Sequence, residues 1–388
     1  MKNSVLILTG LTIGLLSLVS CQKDEYENIS GPPGSSVAED NASIEKPGKE
    51  GKGAVYTMDN GVSGNHIIVY NRDKNGMLTP GGTFPTGGSG TGLGLGSQGS
   101  LILDKDYLFA CNAGSNEISV FKMSGSGLNL IDKVSSHGTM PISVTTHGNL
   151  LYVLNAGGSG NISGFKIMHN HHLSFINNSD KPLSSGSAGP AQIQFDKSGK
   201  QLIVTEKLTN NIVIYDVDHT GAASNGIIHP SVGATPFGFD ISRNNTLIIT
   251  DAFGGSSGAS AVTSYSLKNN GSLNLITGPV ATNQTAACWL VITKDGRYCY
   301  ATNTGSDNIT GYKIDHSGAV TLLDPSGITA PSDDVPIDVA MSKNSGYLYV
   351  LNSGDHTITM YEAKKDGSLS PLGNVGGLPI GTVGLAAE

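Results

Sequence analysis

The chain has 388 residues, of which 53 are glycine and only 14% are charged, and its formal net charge is −8. Three of its 23 basic residues are arginine and no basic run occurs, so nothing in the charge pattern offers a footprint for nucleic acid. Length alone would suggest two or three domains, but many glycines with few charges suit one all-β domain in which tight turns join buried strands.

Residues 1–21 read as a targeting segment. Lys2 gives a positive start, Val5 to Val19 is mostly apolar but short for a membrane span, and the run closes on Leu18-Val19-Ser20-Cys21. That ending resembles the lipobox of bacterial lipoproteins, which implies export, lipidation of Cys21 and a membrane tether. The next four residues, Gln22-Lys23-Asp24-Glu25, resemble the short acidic signal that sends some gram-negative lipoproteins to the outer surface. The expected location is thus the outer membrane, on its exposed side if that signal is read. Residues 22–52 are polar, carry Pro32, Pro33 and Pro47, and follow neither hydrophobic period, so they read as a flexible tether.

From residue 53 to 388 one cassette recurs, seen most clearly at Tyr152 to Phe165 (YVLNAGGSGNISGF). Its second strand pairs a β-branched residue with an aromatic three positions on: Ile67/Tyr70, Ile118/Phe121, Ile162/Phe165, Ile212/Tyr215, Val262/Tyr265, Ile309/Tyr312 and Ile358/Tyr361. Successive copies are 51, 44, 50, 50, 47 and 49 residues apart. Seven units of about 50 residues, each with short β-branched runs and turn residues, predict an all-β, seven-bladed β-propeller of four-stranded antiparallel blades. Each unit divides into strands A to D. The folded part opens on a strand B (Ala54 to Met58) and ends on an unpaired strand A (Leu378 to Val383), so the two termini are expected to complete one blade and close the ring as a monomer.

Three cysteines fall inside the repeats. The hairpin at Asp295-Gly296 sets Cys288 and Cys299 several residue pairs apart, too far for a bridge between them, and Cys111, Cys288 and Cys299 read as small buried residues.

The phrases YVLNAGGSGNISGF, TEKLTNNIVIY, GATPFGFD, TAACWLVITKDGRY and YLYVLNSG, with their periodicity, resemble the seven-bladed lactonase family, which includes 6-phosphogluconolactonase-like and carboxymuconate cyclase-like proteins. The resemblance covers residues 53–388 and implies the propeller fold, with activity on lactone rings in some members. No cofactor and no metal are expected from the residues of the chain.

Departures from the repeat are where a site is expected. Strand B ends on one polar residue per blade: Asp59, Asn112, Asn155, Glu206, Asp251, Asn303 and Asn352. The asparagines read as turn caps. Glu206-Lys207 departs most, since Glu is a poor turn former and small residues stand where Lys207 does; the pair reads either as catalytic groups or as an interblade ion pair. Asp251 is a second candidate base, and Lys207 or His137 a candidate oxyanion stabiliser. At the start of strand A one position reads Ser100, Ser143, Gln192, Gly238, Trp289, Asp338 and Gly381, a ring of small or polar residues that suggests a wet channel wall. Gln98, Gln192, Trp289 and Asp338 are therefore candidate substrate contacts, Trp289 either as a floor for a ring-shaped ligand or as blade packing. The glycine-rich run at 86–99 lacks the Lys-Ser/Thr ending of a phosphate loop, and His169, His171 and His172 lack a fourth metal ligand nearby. Arg72, Arg243 and Arg297 all fall on turns of the opposite face, which disfavours a phosphorylated substrate. Two functions remain open: hydrolysis of a small, weakly charged lactone or sugar-derived ring, and non-catalytic binding of a glycan or protein partner.

Overall fold

The computed structural model of the chain describes residues 51–124 and 127–388. The targeting segment, Cys21 and nearly all of the tether lie outside the described residues. From Gly53 on, the chain forms seven antiparallel sheets, each built from four strands in the order A to D. Adjacent strands A touch all the way round, closing a ring about a central channel. Blade four, for example, comprises Pro190–Phe195, Gln201–Glu206, Asn211–Asp216 and Ile227–Pro230. In blades three and six the outermost strand is split into two short pieces, both paired with strand C. Among the described residues the one helix is a single 3-10 turn, Phe253–Gly255.

Neighbouring blades cover one another on both faces, so strand B of blades four to seven is buried along its whole length. The aromatic of the repeat adds a hydroxyl strut. Tyr215, Tyr312 and Tyr361 donate to the carbonyls of Pro182 (3.0 Å), Val280 (3.1 Å) and Pro331 (2.5 Å), each on the outer strand of the preceding blade. The ring is thus large enough to fill the gap between blades and polar at the one point where a carbonyl waits. The Asp295-Gly296 hairpin sets Cys299 opposite Ile292, as its register requires, and Cys111 and Cys299 are free and buried.

The C-terminal strand does close blade one, but it runs over Val383–Ala387 rather than from Leu378. Pro379 cannot donate to a ladder, and Thr382 folds back on it with both N–H and Oγ1 bonded to the Pro379 carbonyl, so a turn takes the place of the expected strand start. Buried Arg72 fastens the seam. Its guanidinium donates to the carbonyls of Gly51 (3.0 Å) and Glu388 (3.2 Å) and lies 5.6 Å over the Tyr347 ring.

Candidate active site

Strand A enters each of blades three to seven through a bulge: the register slips between Pro141 and Ser143, Pro190 and Gln192, Pro236 and Phe239, Ala287 and Trp289, and Pro336 and Asp338. A bulge bends its strand and re-aims the side chains beside it. The polar ring expected at this depth is present, but its side chains are buried and bonded to protein. Ser143, Gln192 and Asp338 are buried and engage the backbone of the next blade. Ser143 Oγ accepts from Ile193 N (3.1 Å), and Gln192 grips Phe239 by both N–H (2.7 Å) and C=O (2.9 Å). Asp338 accepts from Val339 N (2.8 Å) and from Leu385 N, and burial holds its carboxyl well above the ordinary range. The ring member of blade one is Gly384, in the bulge of the closing strand, and not Gly381, which lies in the preceding turn.

Blade five has Gly238 at this position, and there the strut comes from elsewhere. Gln98, from the connection between blades one and two, reaches Leu290 of blade six and bonds its N–H (3.0 Å) and C=O (2.8 Å). A Cβ on Gly238 would stand 2.2 Å from Gln98 Oε1, so only glycine leaves room. Gln98 belongs to a strap, residues 95–98, that bridges blades three, four and six at the channel mouth. Leu95 is buried in the core, Ser97 Oγ donates to Ile142 O (2.8 Å), and Gln98 N donates to Ala191 O (3.1 Å). Lys207 Nζ donates to Gly96 O (2.5 Å) and Trp289 Nε1 to Ser97 O (2.9 Å). Phe237 stands between these two donors, its ring 4.8 Å from Lys207 Nζ and 4.9 Å from the Trp289 ring. Enclosure of its ammonium lowers the pKa of Lys207 to about 8.

The other candidates are dispersed. Glu206 is fully buried; its carboxylate accepts from Ser184 N (2.8 Å), from the Ser184 hydroxyl and from Thr209 Oγ1 (2.6 Å). Asp251 is buried too, bonded by Thr263 Oγ1 at 2.5 Å, and burial raises its pKa to about 8, so it carries a proton at neutral pH. Its Oδ1 has no partner among the described residues. His137 lies away from Lys207, stacked on Phe175 of blade three at 3.6 Å. Of the eight candidate residues, then, Gln98, Lys207 and Trp289 meet at the strap, while Gln192, Asp338, Glu206, Asp251 and His137 lie around it in separate bonding networks.

Two participants were not anticipated from sequence. The strap enters through backbone carbonyls, which no residue type announces. Phe237 precedes Gly238, the ring member of blade five, and that glycine was its only signal. On the opposite face a shallow cavity of about 410 Å³ is lined by Gly148, Asn149, Lys166 to His169 and His171, with His171 stacked on Tyr107 at 3.7 Å. Among the described residues no three His, Cys, Asp or Glu side chains converge as a metal ligand set.

Comparison with known proteins bears on this arrangement. The family model of the seven-bladed β-propeller lactonases matches residues 62–181 and 259–380. The intervening stretch contains Glu206, Lys207, Phe237 and Asp251. Among solved structures, a periplasmic gluconolactonase of Pseudomonas aeruginosa superposes with a TM-score of 0.66 at 18% identity, over 86% of this chain and 98% of that one. A candidate 6-phosphogluconolactonase of Bacteroides fragilis gives 0.63 at 18% identity, over 88% and 99%. A Lactobacillus plantarum protein gives 0.66 at 18% identity, over 86% and 98%. A comparison with curated proteins finds no match.

Proposed function

Because the chain belongs to the seven-bladed β-propeller lactonase family, we propose that it hydrolyses the ring ester of a small, weakly charged lactone or sugar-derived ring at the strap end of its channel. The observation that carries this reading is Lys207, an enclosed cation beside Phe237 and Trp289. Its ammonium would stabilise the oxyanion that forms as water attacks the ester carbon. Glu206 would take the proton of that water along the hydroxyls of Ser184 and Thr209, which already point at its carboxylate, and return it to the ring oxygen as the ring's acyl C–O bond breaks and the hydroxy acid is released. A weakly charged substrate is favoured because Arg72 is spent on the seam, Arg297 pairs with Asp295 at 2.6 Å, and Arg243 sits on an exposed turn. In this reading the protein is exported and held at the outer membrane by lipid on Cys21, as the Leu-Val-Ser-Cys ending implies.

A panel of lactones assayed with wild type and Glu206→Gln tests it. Turnover of at least one lactone, reduced at least about 100-fold by the substitution, is expected. Equal turnover by both proteins removes Glu206 from the mechanism.

A second reading, a non-catalytic binding module, has its own support. Val62, Leu93, Leu208, Val232 and Ile380 are large apolar side chains exposed on the connections of the strap-side face, a surface better suited to a protein partner than to a glycan. Pull-down by that face, undiminished by Lys207→Met, together with no lactone turnover, would favour it.

A further inference from the structure

The groups proposed to meet a substrate are already occupied by the chain itself. Lys207 and Trp289 come from different blades, and each gives its one polar hydrogen-bond group at the mouth to a successive carbonyl of one segment, Gly96 and Ser97. We propose that the strap is a built-in occupant of the ligand site. Its two carbonyl oxygens hold the places of two neighbouring oxygens of a ligand, and the site formed by Lys207, Phe237 and Trp289 becomes available when the strap swings out. The inference rests on the lactone reading for the identity of its ligand, and on the strap contacts for its gate.

The geometry fits an exchangeable occupant. The strap interacts with the two donors through backbone alone, so a ligand's oxygens can replace those two bonds one for one and leave Lys207 Nζ and Trp289 Nε1 with acceptors during occupation. Phe237 and Trp289, their ring centroids 4.9 Å apart and their planes at 59°, pack on each other as an aromatic corner for the less polar face of a ring. The segment leading in, Thr86 to Gly99, has glycines in the left-handed region at 87, 92, 96 and 99, which are ready hinges. At the far end it is pinned, since Thr86 Oγ1 bonds Asn112 Oδ1 at 2.6 Å and Thr91 N bonds Asn60 Oδ1 at 3.0 Å. A short span can therefore move without unfolding the connection. The matching ligand is a hydroxylated ring lactone, its carbonyl oxygen on Lys207 and an adjacent ring or hydroxyl oxygen on Trp289.

Trp289 is the only tryptophan in the chain and so reports its own exposure. In wild type, acrylamide should quench its emission weakly. Gln98→Ala removes the strap's double grip on Leu290 and should raise the open population about tenfold, seen as stronger quenching and a red shift. Addition of glucono-1,5-lactone should restore protection. In wild type itself the same lactone should accelerate hydrogen exchange at Gln98 N, which is bonded to Ala191 O when the strap is closed, and this second measurement stands if the variant fails to fold. Unchanged exchange at Gln98 in the presence of saturating lactone would overturn the strap inference. Lactone-driven exchange and protection without any hydrolysis would leave it standing while removing the catalytic reading, and hydrolysis with an immobile strap would do the reverse.

Discussion

The ends of strand B in blades seven and four occupy equivalent places and are used differently. In blade seven Asn352 donates to Thr357 (3.1 Å) and Thr359 (2.8 Å) and accepts from Ser332 (2.7 Å), and the chain turns away through Ser353-Gly354. In blade four Glu206 performs the same capping with a longer reach, gathering hydroxyls from Ser184 and Thr209 because strand C offers Val213 where blade seven has Thr359. The next residue, Lys207, has no counterpart in the cap and crosses to the strap. Two adjacent departures from the repeat thus separate: one continues a structural role with added proton-accepting capacity, the other is new.

The seam that supports every cap gives the largest test. A chain ending at Gly376 lacks Val383–Ala387, loses the Glu388 carbonyl that Arg72 holds, and leaves strand B of blade one as an open edge. Loss of cooperative unfolding, or a fall in Tm of more than about 10 °C, is expected in a thermal melt. Next, Asn352→Ala strips three threonine and serine contacts from a buried cap and should cost about 2–3 kcal/mol in urea unfolding, whereas Glu206→Gln, which can keep the bond from Ser184 N, should cost about 1 kcal/mol. Equal costs would mean that Glu206 is a cap and nothing more.

Asp251 sharpens the comparison from a third blade. Its folded pKa of about 8 lies above the ordinary carboxyl value of about 4. Between those values the unfolded chain releases the proton and the native state keeps it, so stability falls as pH rises from about 4 to about 8 and then levels off. Asp251→Asn restores the residue used in four other blades and should flatten that slope, raising stability at pH 8 by roughly 1–3 kcal/mol while changing little at pH 4. Urea melts at the two pH values decide it.

The scaffold was largely readable from residue pattern, because blade packing imposes a β-branched residue and an aromatic at fixed spacing and the hairpins demand Asn, Asp and Gly. The errors have physical causes. Leu378 to Val383 looks like a strand, yet Pro379 and Thr382 close a turn first. Ser143, Gln192 and Asp338 look like a wet wall because their partners are backbone groups of the next blade. The 86–99 run reads as a glycine-rich connection without the ending of a phosphate loop, and only Gln98 stands out in it, because the rest of its contribution at the site is two carbonyls. His137 reads as a candidate oxyanion stabiliser by residue type, whereas its ring stacks on Phe175.

The smallest effect on stability and the most direct test of function fall on the same side chain. Lys207→Met keeps an unbranched stem beside Phe237 and removes the ammonium; Tm should move by less than about 3 °C. Hydrolysis of glucono-1,5-lactone and δ-valerolactone should be measured for this variant and wild type, corrected for the spontaneous rate. Wild-type turnover that falls at least about 100-fold in Lys207→Met is the predicted result; turnover unchanged by the substitution, or none with wild type, would contradict a lactone site at the strap.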